Sequence, residues 1–293
     1  MAAFDRDLPP GIAARPLSEN DLDAALALSK EAGWNQIAAD WRIFLALGRV
    51  IGLTRGGTLI ATAATLPYNC SFAWISMVLV TAAERRQGLA RWLLRNCIDE
   101  LLKRNLVPLL DATPAGRAVY VGLGFQDCWT MHRLVANKVS VPHQTAVPAT
   151  VAIRALEERD WPSIFAFDKE VFGADRGELL RCLASRLPVA AWVAERQGST
   201  VGYLLGRDGR NMSQLGPLAA ANEDIAIALL AQAIATVPAP LVIDLPDRHS
   251  SLGRWLNALG FKIERPLTRM AHGRSQAFDE TARLFTIAGP ELG

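Results

Sequence analysis

Arg15-Pro-Leu17-Ser-Glu19-Asn-Asp21 returns 139 residues later as Arg154-Ala-Leu156-Glu-Glu158-Arg-Asp160, and the same offset aligns Lys30-Glu31 with Lys169-Glu170. Leu123-Gly124-Phe125 returns as Leu259-Gly260-Phe261 at an offset of 136. Ordered matches at a nearly constant offset mark an internal duplication, so the fold of the first half is written a second time. The length agrees, since 293 residues suit two domains, each able to bury a core of its own. Residues 138–150 carry prolines and polar residues without a sustained period and read as an extended linker. The expected domains are 1–137 and 151–273, with 274–293 as a C-terminal extension beyond the repeat.

Apolar periodicity in the first half predicts a strand over 12–16, helices over 21–31 and 37–47, and strands over 50–54 and 58–66 around Gly56-Gly57. A strand over 72–80, a helix over 88–104, a strand over 107–112, a helix over 115–122 and a strand over 125–135 follow. Leu89, Leu93, Cys97 and Leu101 share one face of the third helix. The stretch from Val78 to Leu94 carries the chemistry. An apolar strand ends at Val80, a polar turn holds Arg85, Arg86, Gln87, Gly88, Leu89 and Ala90, and an amphipathic helix begins. The first N–H groups of a helix lack internal partners, and the helix dipole is positive there. Gly88 has no side chain to hold a ligand away from the backbone. Such a turn seats a phosphate or pyrophosphate. The plain alternative is a strand-to-helix turn with solvated arginines.

Arg85-x-x-Gly88-x-Ala90 after a strand resembles the acyl-CoA loop of the GCN5-related N-acetyltransferases (GNAT), and the order of elements resembles that fold in both halves. The resemblance implies an α+β (mixed α/β) chain of two tandem GNAT acyl-CoA N-acyltransferase domains, each a twisted mixed sheet flanked by helices, of the bacterial type with a divergent C-terminal domain. It implies a transferase that moves an acetyl group from acetyl-CoA to the amine of a small-molecule acceptor by direct attack. Val78, Leu79 and Val80 would pair with the pantetheine arm, with an amide near Val78 at the thioester carbonyl. The amides of Arg85 to Ala90 would hold the pyrophosphate, while the Arg85 and Arg86 side chains either reach phosphates or stay solvated. Tyr120, just before Leu123-Gly124-Phe125, would protonate the departing thiolate, because a phenol keeps its proton at neutral pH; otherwise it packs between helix and sheet. Thr113-Pro114 stands where the family often has Asn.

No general base is legible: 72–80 holds no Asp or Glu, Glu84 reads as a solvated loop acid, and His132 as a strand histidine. Trp34 and Asn35, in the turn between the first two helices, are the substrate candidates, beside readings as a core Trp and a helix cap. Tyr68 and Asn69 either face the cleft or form a turn.

In the second half the 136 offset sets Arg85 to Ala90 opposite residues 221–226, with Glu223 and Asp224 in place of Gln87 and Gly88. It sets Leu256 opposite Tyr120. The arginines and the glycine are thus absent; acids suit a bare helix N-terminus and repel a phosphate, so acetyl-CoA is expected in the N-terminal domain only. Asp168, Asp244 and Arg269 either face a shared cleft or lie at the surface or in turns.

The balance of 31 basic and 29 acidic residues, without a basic tract, makes neither nucleic acid nor a membrane an expected partner. Cys70, Cys97, Cys128 and Cys182 form no C-x-x-C pair and the four histidines show no ligand spacing, so no metal is expected and the thiols read as reduced and mostly buried. Neither a signal peptide nor a membrane span is read, which places the chain in the cytoplasm. No pattern speaks to oligomeric state or to the acceptor's identity. Two other readings stand beside the leading one: a non-catalytic acyl-CoA sensor or partner-binding module, and acyl transfer to a peptide N-terminus.

Overall fold

Every element expected in the first half is present within two residues of its expected bounds, in a computed structural model that describes residues 8–68, 71–140 and 150–293. The order is β1 (Ile12–Pro16), α1 (Leu22–Glu31), α2 (Ala38–Leu47), β2 (Arg49–Arg55), β3 (Thr58–Tyr68), β4 (Phe72–Val80), α3 (Leu89–Lys103), β5 (Val107–Ala112), α4 (Pro114–Val121) and β6 (Phe125–Ala136). The second half repeats it with β7 (Ala152–Ala155), α5 (Trp161–Phe172), α6 (Gly177–Arg186), β8 (Trp192–Arg196), β9 (Ser199–Arg207), β10 (Ser213–Ala220), α7 (Glu223–Thr236), β11 (Leu241–Pro246), α8 (Ser250–Ala258) and β12 (Lys262–His272), and adds β13 (Leu284–Thr286). Asn69, Cys70 and most of the expected linker lie outside the described residues.

The two half-sheets are joined into one, in the order β1-β2-β3-β4-β5-β12-β6-β11-β10-β9-β8-β7. The join is an exchange. β12 of the second half lies between β5 and β6 of the first, and β6 lies between β12 and β11 of the second. Leu134 on β6 faces Ile243 on one side and Ile263 on the other. Both inner edges are thereby paired rather than left open.

Strand alternation divides the molecule into layers. On β4, Phe72, Trp74 and Met77 enter one core, while Ala73 and Ile75 enter another. The first core spans both halves, gathering Trp41 and Phe44 of α2, Phe172 of α5 and Leu180 of α6. On the opposite face α3 lays down the expected stripe of Leu89, Leu93, Cys97 and Leu101, all buried. Ile225, Leu229 and Ala233 of α7 do the same in the second half. Of the other described thiols, Cys128 is half-buried and Cys182 exposed.

Residues 284–293 run through the middle of the molecule. β13 pairs with β10, Leu218 with Thr286 and Ala219 with Leu284. The Ile287 N–H donates to the Asp244 carbonyl on β11 at 3.2 Å. Further on, the Trp74 indole donates to the Pro290 carbonyl at 3.0 Å, the Tyr68 hydroxyl to the Leu292 carbonyl at 2.5 Å, and Arg176 to the Gly293 oxygen at 2.9 Å. Tyr68 is therefore core, packed against Phe72 and Phe172, and it borders a cavity of about 660 Å³ that shares no residue with Val78 to Ala90.

Asp168, Asp244 and Arg269 are buried rather than at the surface. A charge taken out of water needs a charged and hydrogen-bonded partner, and each has one. Asp168 holds Arg176 through two bonds of 2.9 Å, and Asp244 holds Arg133 through two of 2.8 Å. Arg269 reaches Asp111 through two bonds of 2.9 Å, also binds Asp279, and lies 4.5 Å and 4.4 Å from the ring centres of Trp74 and Trp129.

Two outcomes follow for stability. Arg269→Ala strands the buried Asp111 carboxylate and is expected to lower unfolding free energy by about 3–5 kcal/mol, read from the urea midpoint. Burial disfavours the charge on Glu291, but the Arg207 guanidinium outweighs it and holds the carboxyl at about 2, against 4.5 unperturbed. On acidification the unfolded chain takes up this proton first. The contribution is complete above about pH 4.5 and is lost as pH falls towards about 2. Glu291→Gln should flatten that limb of the stability curve, measured by thermal unfolding across the same window.

Candidate active site

The residues expected to carry the chemistry of the first half gather where β4 and β5 part. Their parallel register runs only from Phe72 opposite Val107 to Trp74 opposite Leu109. Beyond it, Met77 takes a φ of +51°, and the register of β3 with β4 slips between Thr62 and Ala64. The Thr62 hydroxyl secures this bulge by donating to the Met77 carbonyl at 2.9 Å. A bulge bends its strand, and it leaves the β5-facing edge of Ile75 to Val80 without a strand partner among the described residues.

A groove of about 830 Å³ follows that edge. Val78, Leu79, Val80, Arg85, Arg86, Gly88, Leu89 and Ala90 all line it; of the expected loop residues only Gln87 does not. Gly88 opens α3 at φ +81°, no side chain caps the helix, and its first turn holds no acid. A Cβ at Gly88 would meet nothing within 4 Å, so the space beside its backbone is open. The Leu89 side chain is buried in the core, which leaves its backbone for any ligand. Arg85 is tethered by its Nε, which donates to the Val80 carbonyl at 3.1 Å.

Glu84 is not a solvated acid. Its side chain is 15% exposed and receives Arg55 at 2.9 and 3.1 Å and Gln87 at 2.8 Å. That pairing neutralises the one acid of the loop and draws Gln87 aside. Glu31 at the end of α1 accepts from the Ala82 amide at 2.6 Å and the Thr81 hydroxyl at 2.9 Å, which lowers its pKa and anchors the turn.

A second cavity, of about 450 Å³, adjoins the groove and shares Ala32, Trp34 and Val78 with it. Tyr120 lines it. A Cβ at Gly116, one turn earlier on α4, would lie 2.9 Å from the Tyr120 ring, so this glycine lets the ring rest against its own helix. Burial pushes the phenol pKa up and keeps the proton on at neutral pH. Thr113 caps α4, accepting from the Gly116 amide at 3.2 Å, with Pro114 as the first helical residue. Asn35 lines the same cavity with its amide engaged: it donates to the Met212 carbonyl at 2.9 Å and accepts from the Asn211 and Met212 amides at 2.8 and 3.2 Å. His132 binds Asp247 at 2.5 Å and does not line either space.

The second half supplies one wall, through Met212, Glu264, Arg265, Pro290 and Glu291. Nothing local in the sequence marks these residues. Asp111 also lines the cavity, and burial pushes its carboxyl up to about 6 against the pull of Arg269. Seven buried side-chain polar atoms lack a partner among the described residues, and three of them, Gln36 Oε1, Ser76 Oγ and Arg265 Nε, belong to residues lining this one cavity. Buried polar atoms are nearly always satisfied, so their clustering here marks a place for a polar ligand or water.

The corresponding region of the second half is closed. β10 and β11 pair only at Ser213–Gln214 with Leu241–Val242 and then part, but β13 fills the gap. Between β10 and α7 stand Ala221 and Asn222 alone, where the first half has Thr81 to Gly88. The loop is thus shortened, not rewritten residue for residue as a constant offset suggests. Asn222 caps α7 by accepting from the Ile225 amide at 3.1 Å, and Glu223 and Asp224 fill the first turn. Leu256 on α8 is fully buried. Among the described residues no group of His, Cys, Asp and Glu is placed to hold a metal, and no helix is long and apolar enough to cross a membrane.

A family model described as GNAT acetyltransferase matches residues 1–129, and one described as acetyltransferase (GNAT) domain matches residues 164–286. The chain is 26% identical over 247 residues to the protein named "Uncharacterized N-acetyltransferase YitH" of Bacillus subtilis, covering 84% of this chain and 86% of that one. It is 25% identical over 236 residues to holothin acyltransferase of a Pseudoalteromonas species, covering 80% and 78%. A crystal structure of a protein from Pyrococcus horikoshii covers 99% of this chain and 98% of its own with a TM-score of 0.79 and 18% identity, a likeness of fold. Matches to one family in both halves, on a sheet whose central strands part in both, make this chain a member of the GNAT acetyltransferases, a transferase built of two GNAT domains in tandem.

Proposed function

We propose that the protein transfers an acetyl group from acetyl-CoA to the amine of a small molecule, with one acetyl-CoA site per chain, in the first half. The observation that carries this reading is the parting of β4 from β5 at the Met77 bulge, beside an uncapped and acid-free start of α3. Acetyl-CoA supplies the activated acyl group and the thiolate leaving group. The amides of the Gly88 turn and of the first turn of α3 hold the pyrophosphate. The free edge of Val78 to Val80 receives the pantetheine arm as an added strand would be received. The amide near Val78 stabilises negative charge on the carbonyl oxygen as the amine attacks. As the carbon–sulfur bond breaks, Tyr120 gives its proton to the departing sulfur, and the proton lost by the attacking nitrogen returns through water to the phenolate. Trp34, Val78 and Ala32 stand where groove and cavity meet, so the acceptor enters from the side that both halves build.

The second half supports one site rather than two, because β13 occupies its gap and its α7 is capped and acidic at the start. A cavity of about 450 Å³ favours a small acceptor over a peptide N-terminus. A relative named holothin acyltransferase favours turnover over sensing.

Tyr120→Phe is expected to lower kcat by about 100-fold or more while acetyl-CoA affinity changes by less than about 2-fold, followed by thiol release over a panel of amines. Unchanged turnover removes the general-acid role, and acetyl-CoA binding without thiol release for any amine leaves a sensor. Gly88→Ala should cost the fold about 1–2 kcal/mol, from its φ alone, since the added methyl meets open space. It should weaken acetyl-CoA binding by about 10-fold, measured by calorimetry.

A further inference from the structure

The antiparallel register of β6 and β12 sets Arg265 directly opposite Arg133. Like charges facing each other across a sheet repel. Arg133 is satisfied, since both of its bonds to the buried Asp244 measure 2.8 Å. Arg265 is not. Its ion-pair partner is its own neighbour Glu264, at 3.9 Å, too far for a hydrogen bond. Its Nε is buried without an acceptor among the described residues. Burial and the nearby Arg133 both disfavour the charge on this guanidinium and lower its pKa. A register slip between Ile263 and Arg265 accompanies the presence of both Glu264 and Arg265 on the wall of the cavity.

A cation set against a cation, with an unfilled donor, is an arrangement that an anion relieves. The same cavity holds acceptors for the other end of a ligand. Gln36 is pinned by its amide nitrogen, which donates to Glu291 at 2.8 Å, and its Oε1 is buried without a partner among the described residues. Ser76 Oγ, next to the Met77 bulge, is likewise buried without a partner among the described residues.

Building on the acetyl-transfer reading of this cavity, we propose that the acceptor is an amino acid or a close zwitterionic relative, whose carboxylate binds Arg265. The wall selects a carboxylate over a phosphate. Glu264 and Glu291 both line it and would repel a dianion, whereas a single negative charge matches Arg265, which among the described residues lining this cavity is the one guanidinium without a hydrogen-bonded carboxylate. The volume of about 450 Å³ admits a molecule of that size.

The test is calorimetric binding to the full-length protein, with and without CoA, of the proteinogenic amino acids, each beside its carboxamide, and of aminoethyl phosphate beside β-alanine. At least one free acid should bind about 10-fold or more tightly than its amide. That preference should vanish in Arg265→Ala and survive in part in Arg265→Lys, with CoA affinity unchanged in both. The Arg265 side chain is 40% exposed, so neither substitution opens the core. The proposal is overturned by equal binding of acid and amide in every pair, by a preference that survives Arg265→Ala, or by tighter binding of aminoethyl phosphate than of β-alanine. Acetylation of the same pairs separates the two readings. Equal turnover of acids and amides keeps the transferase and removes the carboxylate site, whereas Arg265-dependent acid binding without thiol release keeps the site and removes the transfer.

Discussion

The reciprocal insertion of β6 and β12 is the constraint on which the rest of the molecule depends. Each half closes its sheet with the last strand of the other, so neither core is complete alone. The exchange also places the chemistry. β12 carries Glu264, Arg265 and Leu267 across to the half that holds Tyr120, and β6 brings Arg133 against them. With each final strand kept in its own half, the second cavity would lose its far wall.

Each exchanged strand is pinned by a buried guanidinium on a carboxylate of the strand that receives it. Arg269 on β12 grips Asp111 on β5, and Arg133 on β6 grips Asp244 on β11. The two arginines stand 136 residues apart, the offset of the repeat, and each faces an aspartate of the neighbouring strand. A buried ion pair gains little net stability over a well-packed apolar pair, but a slipped or unexchanged strand would leave a bare charge in the core. Hydrophobic contacts tolerate such slips; two bidentate pairs do not. Their role is to make one register far better than its neighbours.

Much of the first half was legible because its signals are local. The stripe Leu89, Leu93, Cys97 and Leu101, the turn at Gly88, and Tyr120 ahead of Leu123-Gly124-Phe125 are each contained in a few turns of chain. The duplication was legible for the same reason. What escaped reading depends on contacts between distant residues. Asp168, Asp244 and Arg269 looked like surface groups because their burial rests on partners that a linear reading does not bring together. Gln36 and Arg265 carry no motif at all, and their significance lies in a shared cavity wall. An ungapped offset set Glu223 and Asp224 against a glycine turn that the second half has lost outright, and only the strand and helix ends reveal the shortening.

The β13 segment gives the degenerate half a permanent occupant. A strand tethered to its own groove is present at an effective concentration of roughly millimolar or more, and it does not diffuse away when displaced. A free molecule competing for that gap would have to outbid a covalently attached rival that also supplies Pro290 and Glu291 to the neighbouring cavity. Filling of the gap between β10 and β11 and part of the wall of the cavity beside Tyr120 are thus assigned to the same short run of residues. A mutation that loosened the strand and opened the gap between β10 and β11 would also displace Pro290 and Glu291 from the wall of the cavity beside Tyr120.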